Sequence, residues 1–279
     1  MASAALGKGM TGNNRSAGQT PAHRISRRLI ADGLPVLILI LWYYESLHQP
    51  EFILPSPFKV AIRTGQLLGF DSLLAANTWD SILRVLSALV IALLLGAFLV
   101  ILAKYVPIFE GFVVDRFMPF FNAAPALGWA VVGVYWFHVS DIGVVFVEVA
   151  ILLPFSMINL WEGLKNLDEE LVEMASSFSR NRVKTLVAIV LPMLLPYVFA
   201  AVRVSYGTAW KVALFAELFG APSGLGYLLN IARENFDSVT VFACFLTLII
   251  LVYVVQYAVF KPLEWWLTPQ RRSLAARSQ

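Results

Sequence analysis

The sequence predicts an all-α integral membrane protein of about six spans, and three observations predict it. Only 14% of the residues are charged against 59% hydrophobic, with a mean hydropathy of +0.73, whereas a soluble domain carries roughly a quarter charged. The apolar residues gather into six runs of about the 20 residues that a bilayer crossing needs. The basic residues are distributed unevenly between the loops that separate those runs, as cytoplasmic and external loops are.

The runs differ in how cleanly they read. The first, Leu29 to Leu47, has Asp32 and Pro35 near its start, and the second, Ile82 to Ala103, carries one charge, Arg84, close to an end. The third, Phe117 to Phe137, is interrupted by Pro119, Asn122 and Pro125; the fourth, Ile142 to Trp161, by Glu148, Pro154 and Asn159. The fifth, Leu186 to Phe219, holds Arg203, Lys211 and Glu217. It is too long for one upright helix and must tilt, kink or emerge. The sixth, Val239 to Phe260, is uncharged and contains the single cysteine, Cys244. One cysteine excludes a disulfide framework.

Residues 1–28 read as a disordered basic tail without a cleaved signal. Residues 29–71 read as the first span with an external interfacial segment, 72–262 as the main transmembrane domain and 263–279 as a C-terminal tail. With the N-terminus inside, 14 of the 21 Lys and Arg residues fall on the cytoplasmic side, among them Arg180, Arg182 and Lys184, and both termini are cytoplasmic. On the outside, the stretches 54–69 and 220–236 each read as a turn followed by a short interfacial helix.

The longest internal loop lies between the fourth and fifth spans and includes EMASSFSRNRVKTLVAIVLP, residues 173–192. Leu167, Leu171, Met174 and Phe178 fall at spacings of four, three and four, one stripe of a helix whose remaining surface is acidic. Asn166 and Glu169 fit an N-cap with its capping-box partner, and Arg180 and Arg182 follow the last turn. An exposed apolar stripe of this kind marks either a partner or the bilayer surface.

Glu173, Ala175, Ile189, Leu191 and Pro192 fall on the EAA signature of binding-protein-dependent ABC importer permeases. Residues 81–96, 125–137 and 210–229 resemble the nitrate, taurine, aliphatic-sulfonate and bicarbonate branch of that family. The resemblance implies a type I importer transmembrane domain with a cytoplasmic coupling helix between spans 4 and 5. Leu171, Glu173, Met174, Ala175, Phe178, Ser179, Ile189, Leu191 and Pro192 would form the coupling segment that docks on a separate ATPase. Met174 stands where the family has alanine, which enlarges the docking face. Ser179 stands where it has glycine, so a left-handed turn there is strained or passes to Asn181. The implied partners are a second permease copy, two ATP-binding subunits and an external solute-binding protein, in a bacterial inner membrane. The implied cargo is a small anion such as nitrate, taurine, alkanesulfonate or bicarbonate. Similar permeases carry vitamins or pyrimidine precursors, which is the alternative within the class.

The chain has no G-x-x-x-x-G-K-[ST] phosphate loop, so ATP and its Mg are expected on the partner ATPase and no cofactor in this chain. His23, His48 and His138 are scattered and form no metal site with the one cysteine, and no nucleophile elbow occurs, which argues against an enzyme. Charges in a membrane are expensive and face a partner or a wet path. Glu148, Arg203, Lys211 and Glu217 are therefore candidates for lining a translocation route, and so are Asn122 and Trp129, which sit where proline and glycine interrupt the third span and free backbone carbonyls for protein or water to satisfy. The competing reading pairs them between helices, Glu148 with Lys211 or Arg203. The three basic residues in the spans favour an anion. From another class, a proton-coupled secondary carrier would use Glu148 or Glu217 as its proton site.

Overall fold

The structure, a computed structural model, describes residues 21–167 and 191–267, and every regular element among them is helical. The coupling segment from Leu171 to Ile189 lies outside the described residues.

The first helix, α1 (Pro21–Ser46), joins the body through Trp42. Its Nε1 donates to the Pro55 carbonyl at 3.0 Å, and its ring meets Phe242. Helix α2 (Pro57–Gly65) starts where Ser56 caps the Lys59 N–H and Pro57 supplies a preset φ at the first turn. It is the short amphipathic helix expected after residue 54, and it buries Val60 and Thr64. A widened turn, Gln66–Phe70, follows and ends at Gly69 with φ 138°, a backbone that only glycine adopts at no steric cost. Asp71 then caps the Leu73 and Leu74 N–H groups and opens α3 (Ser72–Tyr105).

Helix α3 has 34 residues, about 51 Å of helix against a hydrocarbon layer of about 30 Å. Its buried stripe is thin, with Ala88, Ala92 and Gly96, which brings the neighbouring backbone close. A Cβ on Gly96 would stand 3.1 Å from the Ser156 Cβ.

Beyond it, α4 (Pro107–Phe112), a widened turn at Val113–Phe117 and α5 (Met118–Ala123) form one arm of a bent pair, with α6 (Ala126–Phe137) as the other. The arms meet at 88°. The cause is Pro125: the residue before a proline is driven out of the α region, and Ala124 sits at φ −69°, ψ 128°.

Helix α7 (Asp141–Lys165) begins where Ser140 caps the Gly143 N–H and ends at Asn166, whose N–H donates to the Glu162 carbonyl. Asn166 therefore closes α7 as a C-cap; the helix that it was expected to open as N-cap lies outside the described residues. Helix α8 (Leu191–Gly220) breaks by 54° into α9 (Leu225–Glu234). The overlong fifth run thus bends at its end. Helix α10 (Ser238–Val255), capped by Asp237, runs through a third widened turn, Gln256–Phe260, into α11 (Lys261–Leu267).

Among the described residues, three helical stretches are long and apolar enough to cross a membrane: α3, α7 and the run from Ser238 to Trp265. The α4–α6 and α8–α9 pairs qualify only as bent pairs, and the apolar part of α1, Gly33–Ser46, is shorter. The core sits where α3, α7 and α8 pack together, with Val85, Ala88, Leu89 and Ala92 against Leu152 and against Tyr206, Ala209, Trp210 and Ala213. Ala243 and Cys244 close it from α10.

Candidate functional site

Helix α3 carries Asn77, Ser81 and Arg84 at spacings of four and three, a polar stripe on one face of an otherwise apolar helix. That stripe meets the end of α8 and the turn into α9. The Glu217 carboxylate accepts from Ser81 Oγ at 2.8 Å, from Arg84 Nη1 at 2.8 Å and from the Gly226 N–H at 2.9 Å. Arg84 also donates from Nε and Nη2 to Asp141 Oδ1 at 2.9 and 2.6 Å, to the Ser223 carbonyl at 2.8 Å and to Ser223 Oγ at 2.7 Å. Ser81 Oγ accepts from the Leu225 N–H, and Asn77 Oδ1 from the Gly224 N–H. The Ser140 N–H donates to the Gly220 carbonyl, joining the start of α7 to the end of α8.

Glu217 is 1% exposed and Arg84 5% exposed. A charge buried this deeply is tolerated only when paired and hydrogen-bonded, and here every charged atom has partners. The turn is glycine-dependent for two reasons. Gly224 has φ 110°, and a Cβ there would stand 2.5 Å from Glu217 Oε2; a Cβ on Gly226 would stand 2.5 Å from the Glu217 Cβ. The carboxylate occupies the space that any side chain would need. Chemically this is a clamp holding α3, α7, α8 and α9 at one end of the bundle, with the Glu217 oxygens already taken by donors.

The other sequence candidates scatter. Glu148 is 0% exposed within α7, and neither carboxyl oxygen has a hydrogen-bond partner. The expected pairing of Glu148 with Lys211 or Arg203 does not form: Glu148 turns into the packing between α3, α7 and α8, while Lys211 stands exposed on α8. Arg203 instead pairs with Glu264 of α11 at 2.6 Å. With its amide oxygen facing the guanidinium, Gln256 accepts from Arg203 Nη2 at 2.8 Å and Nε at 3.1 Å. Asn122 is exposed in the last turn of α5 beside the 88° bend. Trp129 is partly buried on α6, stacked on Phe121 with ring centroids 5.0 Å apart. Of the coupling residues, Leu191 and Pro192 open α8, and the rest are outside the described residues.

Sequence reasoning singled out Glu217 but missed Arg84, Ser81, Asn77, Asp141, Ser223, Gly224 and Gly226. The 77–81–84 spacing was the available signal. It is faint because only one of the three residues is charged, so the span shows a lone arginine unless the shared helix face is considered.

An all-helical bundle with several helices long and apolar enough to cross a membrane, tied at one end by a buried ion-pair clamp, belongs to the class of integral membrane proteins. Residues 100–263 match the binding-protein-dependent transport system inner membrane component family, and the chain belongs to that family. It is similar to the taurine transport system permease protein of Escherichia coli strain K12, 26% identical over 243 residues, which covers 85% of this chain and 87% of that one. It is 31% identical over 229 residues to the riboflavin transport system permease protein of Chloroflexus aurantiacus, covering 77% and 82% of the two chains. Against an aliphatic sulfonates transport permease protein of E. coli K12 the identity is 33% over 121 residues, 43% of this chain and 46% of that one. The chain is a permease of the ABC-transporter class, not an enzyme in itself.

Proposed function

We propose that the protein is the permease subunit of an ATP-driven importer that passes a small anion inward, such as nitrate, taurine, an alkanesulfonate or bicarbonate. The observation that carries this reading is the family match over residues 100–263, with taurine and sulfonate permeases among the similar proteins. Six crossings, by α1, α3, α4–α6, α7, α8 and α10, put both termini in the cytoplasm of a bacterial inner membrane. Two copies enclose the path, an external binding protein delivers the solute, and two ATPase subunits bind ATP and Mg.

The segment 168–190 then lies against the ATPase as a coupling helix, through Leu171, Glu173, Met174, Ala175, Phe178, Ser179 and Ile189. Helix α8 leaves that segment at Leu191 and reaches the Glu217 clamp at its far end, about 40 Å away at 1.5 Å per residue. A push at Pro192 is thereby delivered to the ends of α3 and α7 as well. Of the path candidates, Asn122, Trp129 and Lys211 face the route, while Arg203 and Glu217, each in an ion pair, hold helices together.

Two observations favour other readings. The riboflavin permease among the similar proteins favours a vitamin or pyrimidine-precursor cargo. The partnerless Glu148 carboxyl favours a proton-coupled carrier. Purification from native membranes decides first: an ATPase that co-purifies and is lost on Glu173→Lys, with ATP-dependent uptake lost in the same variant, supports the importer. Uptake driven by a proton gradient without any ATPase subunit would overturn it.

A further inference from the structure

Helix α8 shows two faces. One, with Tyr206, Trp210, Ala213 and Glu217, is buried against α3 and α7; on the other, at spacings of four, three, four and four, Val204, Lys211, Phe215 and Phe219 are exposed and Thr208 is partly so. Lys211 is the anomaly on that face. Within α3, α7, α8 and α10, Arg84 and Arg203 are ion-paired, and Lys104 and Lys165 lie in last turns. Lys211 alone among these described cations stands far from a helix end without a polar partner. It lines a pocket of 420 Å³ with Leu214, Phe215 and Leu218 of its own helix and Phe245 and Leu248 of α10.

The ammonium must be neutralised by something, because an unpaired charge at membrane depth costs about 2.5–3.5 kcal/mol even on insertion scales. With the Gly220 end of α8 taken at the bilayer surface, lipid phosphate is out of reach. Lys211 lies nine residues inside the Gly220 end of α8, about 13 Å along the axis, and helix side chains slant toward the N-terminus, away from that nearer end. A carboxylate from a second copy fares no better. On the spanning helices, Glu148, seven residues or about 10 Å below Asp141 on α7, is the described carboxylate nearest that depth, and it is wholly buried. Among the described residues that leaves a mobile source of negative charge.

We infer that Lys211 and its pocket are a transient binding site for the transported solute, and that this solute is an organic anion with a small apolar body, its sulfonate or carboxylate on the ammonium and its carbon chain against Phe215 and Phe245. The lining selects the class. Nitrate, bicarbonate and a sulfonate all put their oxygens on the one ammonium, but only an organic anion has an alkyl chain to set against the leucine and phenylalanine lining, gaining about 25 cal/mol per Å² of apolar surface removed from water. A single cation also keeps the site weak enough to release its occupant. The inference rests on the permease reading and narrows its cargo.

The test is ATP-dependent uptake of radiolabelled butanesulfonate and nitrate in cells carrying the whole transporter, with permease levels in the membrane checked by immunoblot. Wild type is expected to prefer butanesulfonate. Lys211→Met should lower its maximal rate about tenfold or more at unchanged half-saturation, which the external binding protein sets, and Lys211→Arg should restore most of it. Where Lys211→Met fails to accumulate, Phe215→Ala decides: loss of the preference for butanesulfonate supports the site, and an unchanged preference overturns it. A wild-type rate in Lys211→Met, or nitrate carried as well as butanesulfonate, also overturns it. Uptake of neither anion by wild type removes the inference, while the co-purifying ATPase separately reports whether the importer reading stands.

Discussion

Glu217 and Glu148 are both buried carboxylates in the same bundle, yet one is met by three donors and the other by none. Glu217 faces a turn built around it: two glycines make room, and a serine, an arginine and a backbone N–H supply the protons. Glu148, two turns below Asp141 on α7, is wholly buried and meets no hydrogen-bond donor. The difference teaches that burial alone says little about a membrane carboxylate. What matters is whether neighbouring helices were given the residues to answer it, and only at Glu217 were they.

Breaking the clamp should cost the most. Arg84→Ala leaves Glu217 buried without its cation, and we expect a loss of about 3–5 kcal/mol, read as a large fall in the thermal unfolding midpoint of the full chain in detergent. A midpoint near wild type would show that Glu217 does not need Arg84. Next comes the room around the carboxylate: Gly226→Ala drives a Cβ into the Glu217 side chain and the Leu214 carbonyl, for about 1–3 kcal/mol. The same melt measures it, and Gly224→Ala should do at least as much because φ 110° adds strain.

A smaller effect is expected from Asp141→Asn, since the Asp141 side chain is two-thirds exposed and exposed ion pairs contribute roughly 0–1 kcal/mol. The smallest belongs to Glu148→Gln, which keeps the shape and removes a group that has no partner to lose. Stability within about 1 kcal/mol of wild type, with ATP-dependent uptake unchanged, would sharpen the contrast with Glu217. Abolished uptake in a well-folded Glu148→Gln protein would instead assign Glu148 a proton-handling role and revive the carrier alternative.

The sequence made the helices legible because apolar runs and prolines act locally. Pro125 specifies the 88° bend by its effect on Ala124, and the fifth run was too long for one upright helix, which left tilt, kink or emergence open; the break observed lies just past its end, after Gly220. The short helices after residues 54 and 220 follow from Ser56, Pro57 and the glycines of the GLG stretch. Pairings were not legible in the same way. Which carboxylate meets Arg84 depends on the relative height and rotation of α3 and α8, whose paired residues lie 133 positions apart. Arg203 was mispaired for that reason, its partner Glu264 lying beyond a widened turn in α11. Lys211 was singled out by its charge alone; that it points away from the buried face emerged only from the packing of α8.

The close approach at Gly96 also has a mechanical side. Helix α3 is a rod that comes close to α7 at Gly96, 24 residues from Ser72 and nine from Tyr105. At 1.5 Å per residue the two arms measure about 36 and 13 Å. With that contact as fulcrum, a tilt that shifts the Tyr105 end by 1 Å swings the Ser72 end by roughly 2.7 Å, the ratio of those arms. The clamp at Ser81 and Arg84 lies on the long arm, so such a tilt would move it further than it moves the Tyr105 end.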